Sequence, residues 1–144
     1  MANRRRPFQF GLDLHSGVPV YRQIVDQVTA GLAAGALVSG DQLPTVRQLA
    51  VDLSVNPNTV IRAYRELEIR GLLETQQGTG TFISERKVEH DSADRQRRLS
   101  QMAADFLSRV GMAGYTAEEL IEELQNLQAG SGKKRKGPGV PPAK

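Results

Sequence analysis

Apolar residues recur at three- and four-residue steps in three stretches of the chain, and this spacing predicts three amphipathic helices. The first begins after Pro19 and ends near Gly35, and its apolar face contains Tyr21, Ile24, Val25, Val28 and Leu32. The second covers residues 45–53, and its apolar face contains Val46, Leu49, Ala50 and Leu53. The third covers about residues 57–70, and its inner face is predicted to contain Val60, Ile61, Tyr64 and Leu67.

Local signals at the helix boundaries support these predictions. Thr45 followed three residues later by Gln48 fits a capping box, in which each side chain satisfies a free backbone N–H group near the helix start. Asn56 and Pro57 are favoured as the N-cap and the first residue of the third helix. Gly71 suits the C-terminal end of that helix, because glycine readily adopts a left-handed backbone.

The residue pattern changes after Gly71 to that of short strands. Leu72 and Leu73 start one predicted strand, and residues 81–83 continue a second. Between them, "QGTG" at residues 77–80 supplies two glycines that suit a tight hairpin. The stretch "LVSGDQLP", residues 37–44, is predicted to be a loop. Three helices followed by a hairpin is the order of a winged helix-turn-helix, so the predicted fold is mainly α with a small β-hairpin.

The winged helix-turn-helix domain is assigned to residues 18–84, and further segments flank it. Residues 1–17 form an N-terminal arm, in which "FQFGLDL" either adds a short strand or packs against the domain. Residues 85–91 are a polar linker. Residues 92–129 contain two helical patterns separated by "VGMAGY", and residues 130–144 are predicted to be a disordered basic tail.

Each helix of this C-terminal appendage carries an apolar stripe. The first stripe consists of Leu99, Met102, Phe106 and Val110. The second follows a capping box at Thr116 and Glu119 and consists of Leu120, Ile121, Leu124 and Leu127. An isolated helical hairpin of this size is marginal, so we expect a second copy of the chain to cover both stripes. Docking of the appendage onto the winged domain of the same chain is the alternative.

Composition narrows the functional classes. No apolar run approaches the length of a membrane span, and the N-terminus lacks the apolar stretch of a secretory signal. The absence of cysteine excludes disulfides and thiolate chemistry and fits a cytoplasmic protein. The net charge of +3 weakly favours an anionic partner. Basic runs at residues 4–6 and 133–136 are interpreted as solvated tails, with a binding arm as the alternative.

The start of the third helix carries more short polar side chains than capping requires. Asn56 serves as the cap, whereas capping does not require Asn58 or Thr59. The first turn contains no acidic residue. Amide, hydroxyl and free N–H groups at a positive helix end match phosphates and base edges. Helix-turn-helix proteins place this helix start in the major groove, where asparagine can pair with adenine. Arg62 and Arg65 follow at three-residue steps and would reach phosphate or a guanine.

These motifs together resemble the DNA-binding domain of the GntR family of bacterial transcription regulators. The resemblance covers about residues 8–84 and is carried by "GDQLPTVRQLA", "NTVIRAYREL" and "QGTGTF". In that family the arginine after the leucine-proline turn contacts DNA, which implies this role for Arg47. The start of the recognition helix contacts bases and phosphates, which implies this role for Asn56, Asn58 and Thr59. The glycine-bearing tip of the wing enters the minor groove, which implies contacts from Gln77, Gly78, Thr79 and Gly80.

The resemblance also indicates a branch of the family. Many relatives have arginine where this chain has Pro57 and Ile61, whereas here the basic residue is Arg62, so the operator sequence cannot be inferred from them. Asparagine-threonine-valine followed by a basic residue is typical of the YtrA and MocR branches. The short appendage resembles the YtrA branch, in which it serves dimerisation. This implies a repressor that binds a palindromic operator as a homodimer. It also implies that the regulator controls a transporter operon and its own expression. For the input of a signal, the alternatives are a small-molecule effector in a pocket at the dimer interface and regulation through expression level alone.

An enzyme and a protein-interaction module are the alternatives to a DNA-binding regulator. His15 and His90 stand alone, and no nucleophile–base pair, phosphate-binding loop or histidine–carboxylate cluster is evident. We therefore predict neither catalysis nor a metal or other cofactor. A winged helix used for protein contact would present acidic or apolar residues at the start of its third helix. This chain presents amide, hydroxyl and arginine groups there instead.

Overall fold

The computed structural model describes residues 7–85 and 92–130 and divides the chain into two units, with the boundary between Arg86 and Lys87. The basic run at residues 4–6, most of the predicted linker and the tail from residue 131 onwards lie outside the described residues. No helix in the two described ranges is long and apolar enough to cross a membrane.

The first unit contains three helices where the apolar periodicity predicts them. They are α1 (Val20–Ala34), α2 (Val46–Leu53) and α3 (Pro57–Ile69). Helix α1 ends at Gly35, which adopts the left-handed conformation with φ of 82°. After α3, the N–H of Gly71 donates to the Glu68 carbonyl (2.9 Å) and that of Leu72 to the Leu67 carbonyl (2.8 Å). This pair of bonds is a Schellman motif, which turns the chain sharply into the next strand.

The sheet of this unit has three strands rather than the two predicted. They are β1 (Gln42–Leu43), β2 (Leu73–Gln76) and β3 (Gly80–Ile83), in the antiparallel order β1-β3-β2. The prediction of a loop over residues 37–44 therefore missed β1. Two residues are too few to show alternation, and the strand exists because Gln42 pairs with Phe82 and Leu43 with Thr81.

The core of the first unit lies where the three helices meet the sheet. Its fully buried members are aliphatic and include Ile24, Val28, Leu49, Val60 and Leu67. The predicted inner face of α3 needs one correction, since Ile61 is 38% exposed whereas Ala63 is fully buried. Residues 60, 63, 64 and 67 follow the three- and four-residue steps of one helical face, and residue 61 falls outside that face.

The N-terminal arm packs against α1 and adds no strand among residues 7–17. Phe8 and Phe10 meet edge to face with ring centroids 4.9 Å apart and pack on the margin of the core. The side-chain amide of Gln27 donates to the Gly11 carbonyl (2.7 Å), and its oxygen accepts from the Gly11 N–H (2.9 Å). Of the two predicted states of "FQFGLDL", the packed arm is the one observed.

Only one half of the predicted capping box at α2 forms. Thr45 Oγ1 accepts from the N–H of Gln48 (3.0 Å), as expected for an N-cap. The Gln48 side chain does not return to Thr45 and instead donates to Asp52 Oδ1 (2.7 Å). An exposed glutamine has an equally good acceptor one turn further along the helix, so this half of the prediction was wrong.

The second unit is a pair of helices, α4 (Ser92–Met112) and α5 (Ala117–Gly130). Helix α4 extends through "VGM" and ends at Met112, shortly before Gly114, which has φ of 92°, so the predicted break falls later than its first residue. The capping box of α5 forms in both directions, from Thr116 N–H to Glu119 (2.8 Å) and from Glu119 N–H to Thr116 (3.2 Å). Neither helix has a buried residue in the isolated chain.

Candidate nucleic-acid interface

Helix α3 begins with a well-formed cap. The N–H of Asn58 donates to Asn56 Oδ1 (2.8 Å), and the N–H of Thr59 donates to the Asn56 carbonyl (2.9 Å). Pro57 occupies the first turn, which contains no acidic residue. The side-chain oxygen of Asn56 is thus engaged by the cap, whereas its NH₂ group keeps its two donors for an outside partner.

The exposed face of α3 lies opposite its core face. Asn58, Arg62 and Arg65 follow at four- and three-residue steps, so they lie along one side of the helix, and all three are exposed. Thr59 is partly buried and lies towards the margin of this face. The structure therefore assembles an amide and two guanidinium groups on one surface of α3. We call Asn58, Arg62 and Arg65 the polar face of α3.

The arginines of residues 7–85 fall into two groups. Arg22 pairs with Asp26 (3.4 Å) and Arg70 with Glu66 (3.0 Å), both across one helical turn. Arg47, Arg62 and Arg65 form no salt bridge within the described part of the chain. The arginines singled out from the sequence are thus the ones that keep their charge unpaired, which suits an anionic partner.

Arg47 and the hairpin turn lie on other elements of the same unit. Arg47 is the second residue of α2 and is exposed. Gln77, Gly78 and Thr79 form the turn between β2 and β3, and all three are exposed. Gly78 has φ of 78° with open space around it, so a side chain at this position would meet nothing but would strain the backbone.

The base of the turn is held by a residue that the sequence analysis did not single out. The side-chain amide of Gln42, on β1, donates to the Thr79 carbonyl (3.2 Å). Gly80, with φ of 137°, lies so close that a Cβ there would come within 2.5 Å of Gln42 Nε2. This contact braces the returning strand against β1. Its only sequence signal is the glycine at residue 80, which is compatible with a close approach.

Two tyrosines also have unforeseen roles. The hydroxyl of Tyr64, which is only 3% exposed, donates to the Pro44 carbonyl (2.6 Å) and so ties α3 to the turn before α2. Burial raises the pKa of this hydroxyl well above its usual range. The ring of Tyr21, on α1, lies beneath the guanidinium of Arg62, with Cζ 3.8 Å from the ring centroid.

Two helices joined by a short turn, with a third helix behind them and a three-stranded wing, define a winged helix-turn-helix DNA-binding domain. Comparison with known proteins identifies the family of this domain. The family model described as "Bacterial regulatory proteins, gntR family" matches residues 20–83. The chain is 52% identical to the transcriptional regulator Rv1152 of Mycobacterium tuberculosis over 119 residues, covering 81% of this chain and 91% of that protein.

A second relative is the transcriptional repressor YtrA of Bacillus subtilis, which is 35% identical over 118 residues, covering 82% of this chain and 91% of that protein. Among solved structures, a GntR family transcriptional regulator from Listeria monocytogenes superposes with a TM-score of 0.54 at 32% identity, covering 80% of this chain and 98% of that one. The chain belongs to the GntR family of bacterial regulatory proteins and resembles its YtrA-type members. It is a transcriptional regulator and not an enzyme.

Proposed function

We propose that this regulator binds a specific duplex DNA sequence through the polar face of α3, as a homodimer on a palindromic operator, and represses transcription. The observation that carries the proposal is that Arg47, Arg62 and Arg65 form no salt bridge within residues 7–85, together with a first turn of α3 that lacks acidic residues. Polyanionic DNA supplies the partner that these groups lack within residues 7–85.

The residues of the interface divide by the part of DNA that each would contact. Asn58 and Thr59, at the start of α3, would read base edges, because an asparagine amide matches adenine and a threonine methyl or hydroxyl suits thymine or any base. Arg62 and Arg65, further along, would contact phosphates or a guanine, and Arg47 would contact the backbone or a guanine from α2. Asn56 would act first as the cap and donate to a phosphate only through its NH₂ group.

The wing would lie in the minor groove. Gln77, Gly78 and Thr79 form the turn and Gly80 begins β3, and the two glycines, which have no side chain, suit close approach to a sugar–phosphate backbone. The brace from Gln42 to Thr79 reduces the freedom of this turn before DNA arrives. Less ordering would then be needed on binding.

The exposure of the second unit supports a homodimer. Leu99, Met102, Phe106, Ile121, Leu124 and Leu127 are all exposed in the single chain, and Val110 and Leu120 are only partly buried. Apolar stripes of this length on two adjacent helices are costly in water. A second copy would cover them and would place two winged domains on a two-fold DNA site.

The proposal of repression, rather than activation, rests on a relative. The Bacillus subtilis YtrA protein is named a repressor, and the resemblance to that branch extends the proposal to a transporter operon and to the chain's own expression. A small-molecule effector is compatible with this scheme.

A mobility-shift assay on a duplex from the chain's own promoter region tests DNA binding. We expect a salt-sensitive complex that resists unrelated competitor DNA. Arg47→Ala and Asn58→Ala should each weaken it by about 1–3 kcal/mol if they contact base edges. Arg70→Ala, which removes a charge paired with Glu66, is the matched control and should change affinity little. If a complex forms but neither Arg47→Ala nor Asn58→Ala weakens it, the proposed docking of these residues is wrong. The absence of any complex would favour a protein-interaction module instead.

Sedimentation of the full chain tests the dimer. Phe106→Asp places a charge in the apolar stripe of α4 and should shift the protein towards monomer. Ser108→Asp adds the same charge on the opposite side of α4 and is the control. If both variants sediment like the unmodified chain, the appendage does not form the interface.

A further inference from the structure

Arg62 has a defined position even though it is exposed. Its Cζ atom lies 3.8 Å from the centroid of the Tyr21 ring, well within the range of an attractive contact between a cation and an aromatic face. Tyr21 is the second residue of α1 and Arg62 lies in α3, so the contact joins two helices. A contact of this kind fixes a side chain relative to the whole domain and not only to its own helix.

The contact with Tyr21 leaves donors of Arg62 available. A guanidinium carries five N–H donors, and contact with a single ring cannot occupy all of them. No carboxylate of residues 7–85 forms a salt bridge with Arg62. The contact therefore restricts the rotamers of a long, flexible side chain, while Arg62 remains exposed to solvent.

We propose that Tyr21 is a positioning residue for DNA recognition: its ring holds the Arg62 guanidinium ready on the polar face of α3. This inference rests on the proposed function of that face. A free arginine loses rotamer entropy when it binds a phosphate or a guanine, and one that is already held by a ring loses less. The contribution of Tyr21 thus acts through Arg62, with no contact to DNA required of the tyrosine itself.

The competing explanation is that Tyr21 only fills space. Its ring is partly buried and packs at the margin of the core, so its removal also affects stability. The two explanations differ in one measurable respect. A positioning role disappears when Arg62 is absent, whereas a packing role lowers affinity equally with and without Arg62.

A double-mutant cycle in the full chain separates these possibilities. Affinity for the promoter duplex would be measured by fluorescence anisotropy for Tyr21→Leu, Arg62→Ala and the double variant, with thermal unfolding of each. We expect Tyr21→Leu to weaken binding about two- to fivefold. In the Arg62→Ala background the same change should have no further effect. Tyr21→Phe retains the aromatic face and should bind within about twofold of the unmodified chain.

Three outcomes would overturn the inference. The first is an equal loss from Tyr21→Leu in both backgrounds, and the second is a loss for Tyr21→Phe as large as that for Tyr21→Leu. The third is unchanged affinity for Tyr21→Leu while Arg62→Ala weakens binding, which would refute positioning and leave the DNA-binding proposal intact. By contrast, an unmodified chain that forms no salt-sensitive complex would refute the proposed function and this inference with it.

Discussion

Replacing Tyr64 with phenylalanine removes one hydroxyl and leaves the buried ring in place. The hydroxyl donates to the Pro44 carbonyl at 2.6 Å, so the change deletes a single hydrogen bond between α3 and the turn before α2 without creating a cavity. A bond of this kind contributes about 0.5–1.5 kcal/mol. We therefore expect a loss of about 1 kcal/mol, in the middle of this range.

The same hydroxyl predicts a pH dependence with a definite sign. Burial raises the pKa of Tyr64 in the folded chain above its ordinary value of about 10 in the unfolded chain. The neutral form is therefore favoured by folding, and its contribution to stability is complete below about pH 10. Above that pH the unfolded chain loses the proton first, and stability falls by up to roughly 1.4 kcal/mol per pH unit.

Urea unfolding of the full chain at pH 8 and at alkaline pH measures both effects. At pH 8, Tyr64→Phe should lower the free energy of unfolding by about 1 kcal/mol. As the pH rises above about 10, the difference between the two proteins should shrink and then reverse, because the phenylalanine variant has no proton to lose at this position. Tyr115→Phe, at a position 63% exposed, is the control, and it should leave the free energy of unfolding unchanged at both pH values. A constant difference between the unmodified chain and Tyr64→Phe across this range would refute the reasoning.

The remaining predictions concern the wing and the helix cap. Gly80→Ala should lower stability by about 1–3 kcal/mol, because φ of 137° strains any side chain and the new Cβ would displace Gln42 from Thr79. Gly78→Ala, whose Cβ meets nothing, should cost less in the same urea titration, and equal costs would show that the approach of Gln42 is unimportant. Asn56→Ala should lose about 0.5–2 kcal/mol of stability through the missing cap. Asn56→Asp should retain stability yet weaken DNA binding through its negative charge, and unchanged affinity in a mobility shift would place Asn56 away from DNA.

Local signals account for the parts of the molecule that were predicted well from sequence. Helical spacing places Ile24 and Val28 on one face of α1, and Val60 and Leu67 on one face of α3. Such an apolar face must be buried whatever the helix packs against. The capping box at the start of α5 and the cap of α3 need only residues within three positions of each other. The arginines on the polar face of α3 could be nominated because helical spacing alone places them opposite the core.

The omission of β1 has a different cause, which is dependence on a distant partner. Strand β1 is two residues long and exists because β3, about 40 residues later, offers it hydrogen bonds. The assignment of Ile61 to the core was an error of a local kind, because helical spacing itself puts residue 61 outside the face formed by residues 60, 63, 64 and 67.

The candidate interface likewise contains features that local sequence sets and features that tertiary contacts set. The sequence by itself determined which residue types stand at the start of α3 and in the hairpin turn, since these follow from order and local propensity. Only the tertiary structure decided that Tyr21 lies under Arg62, that Gln42 holds the wing and that Tyr64 reaches Pro44. Each of these contacts joins residues far apart in the chain, and their geometry depends on how the helices and the sheet pack together rather than on any local pattern.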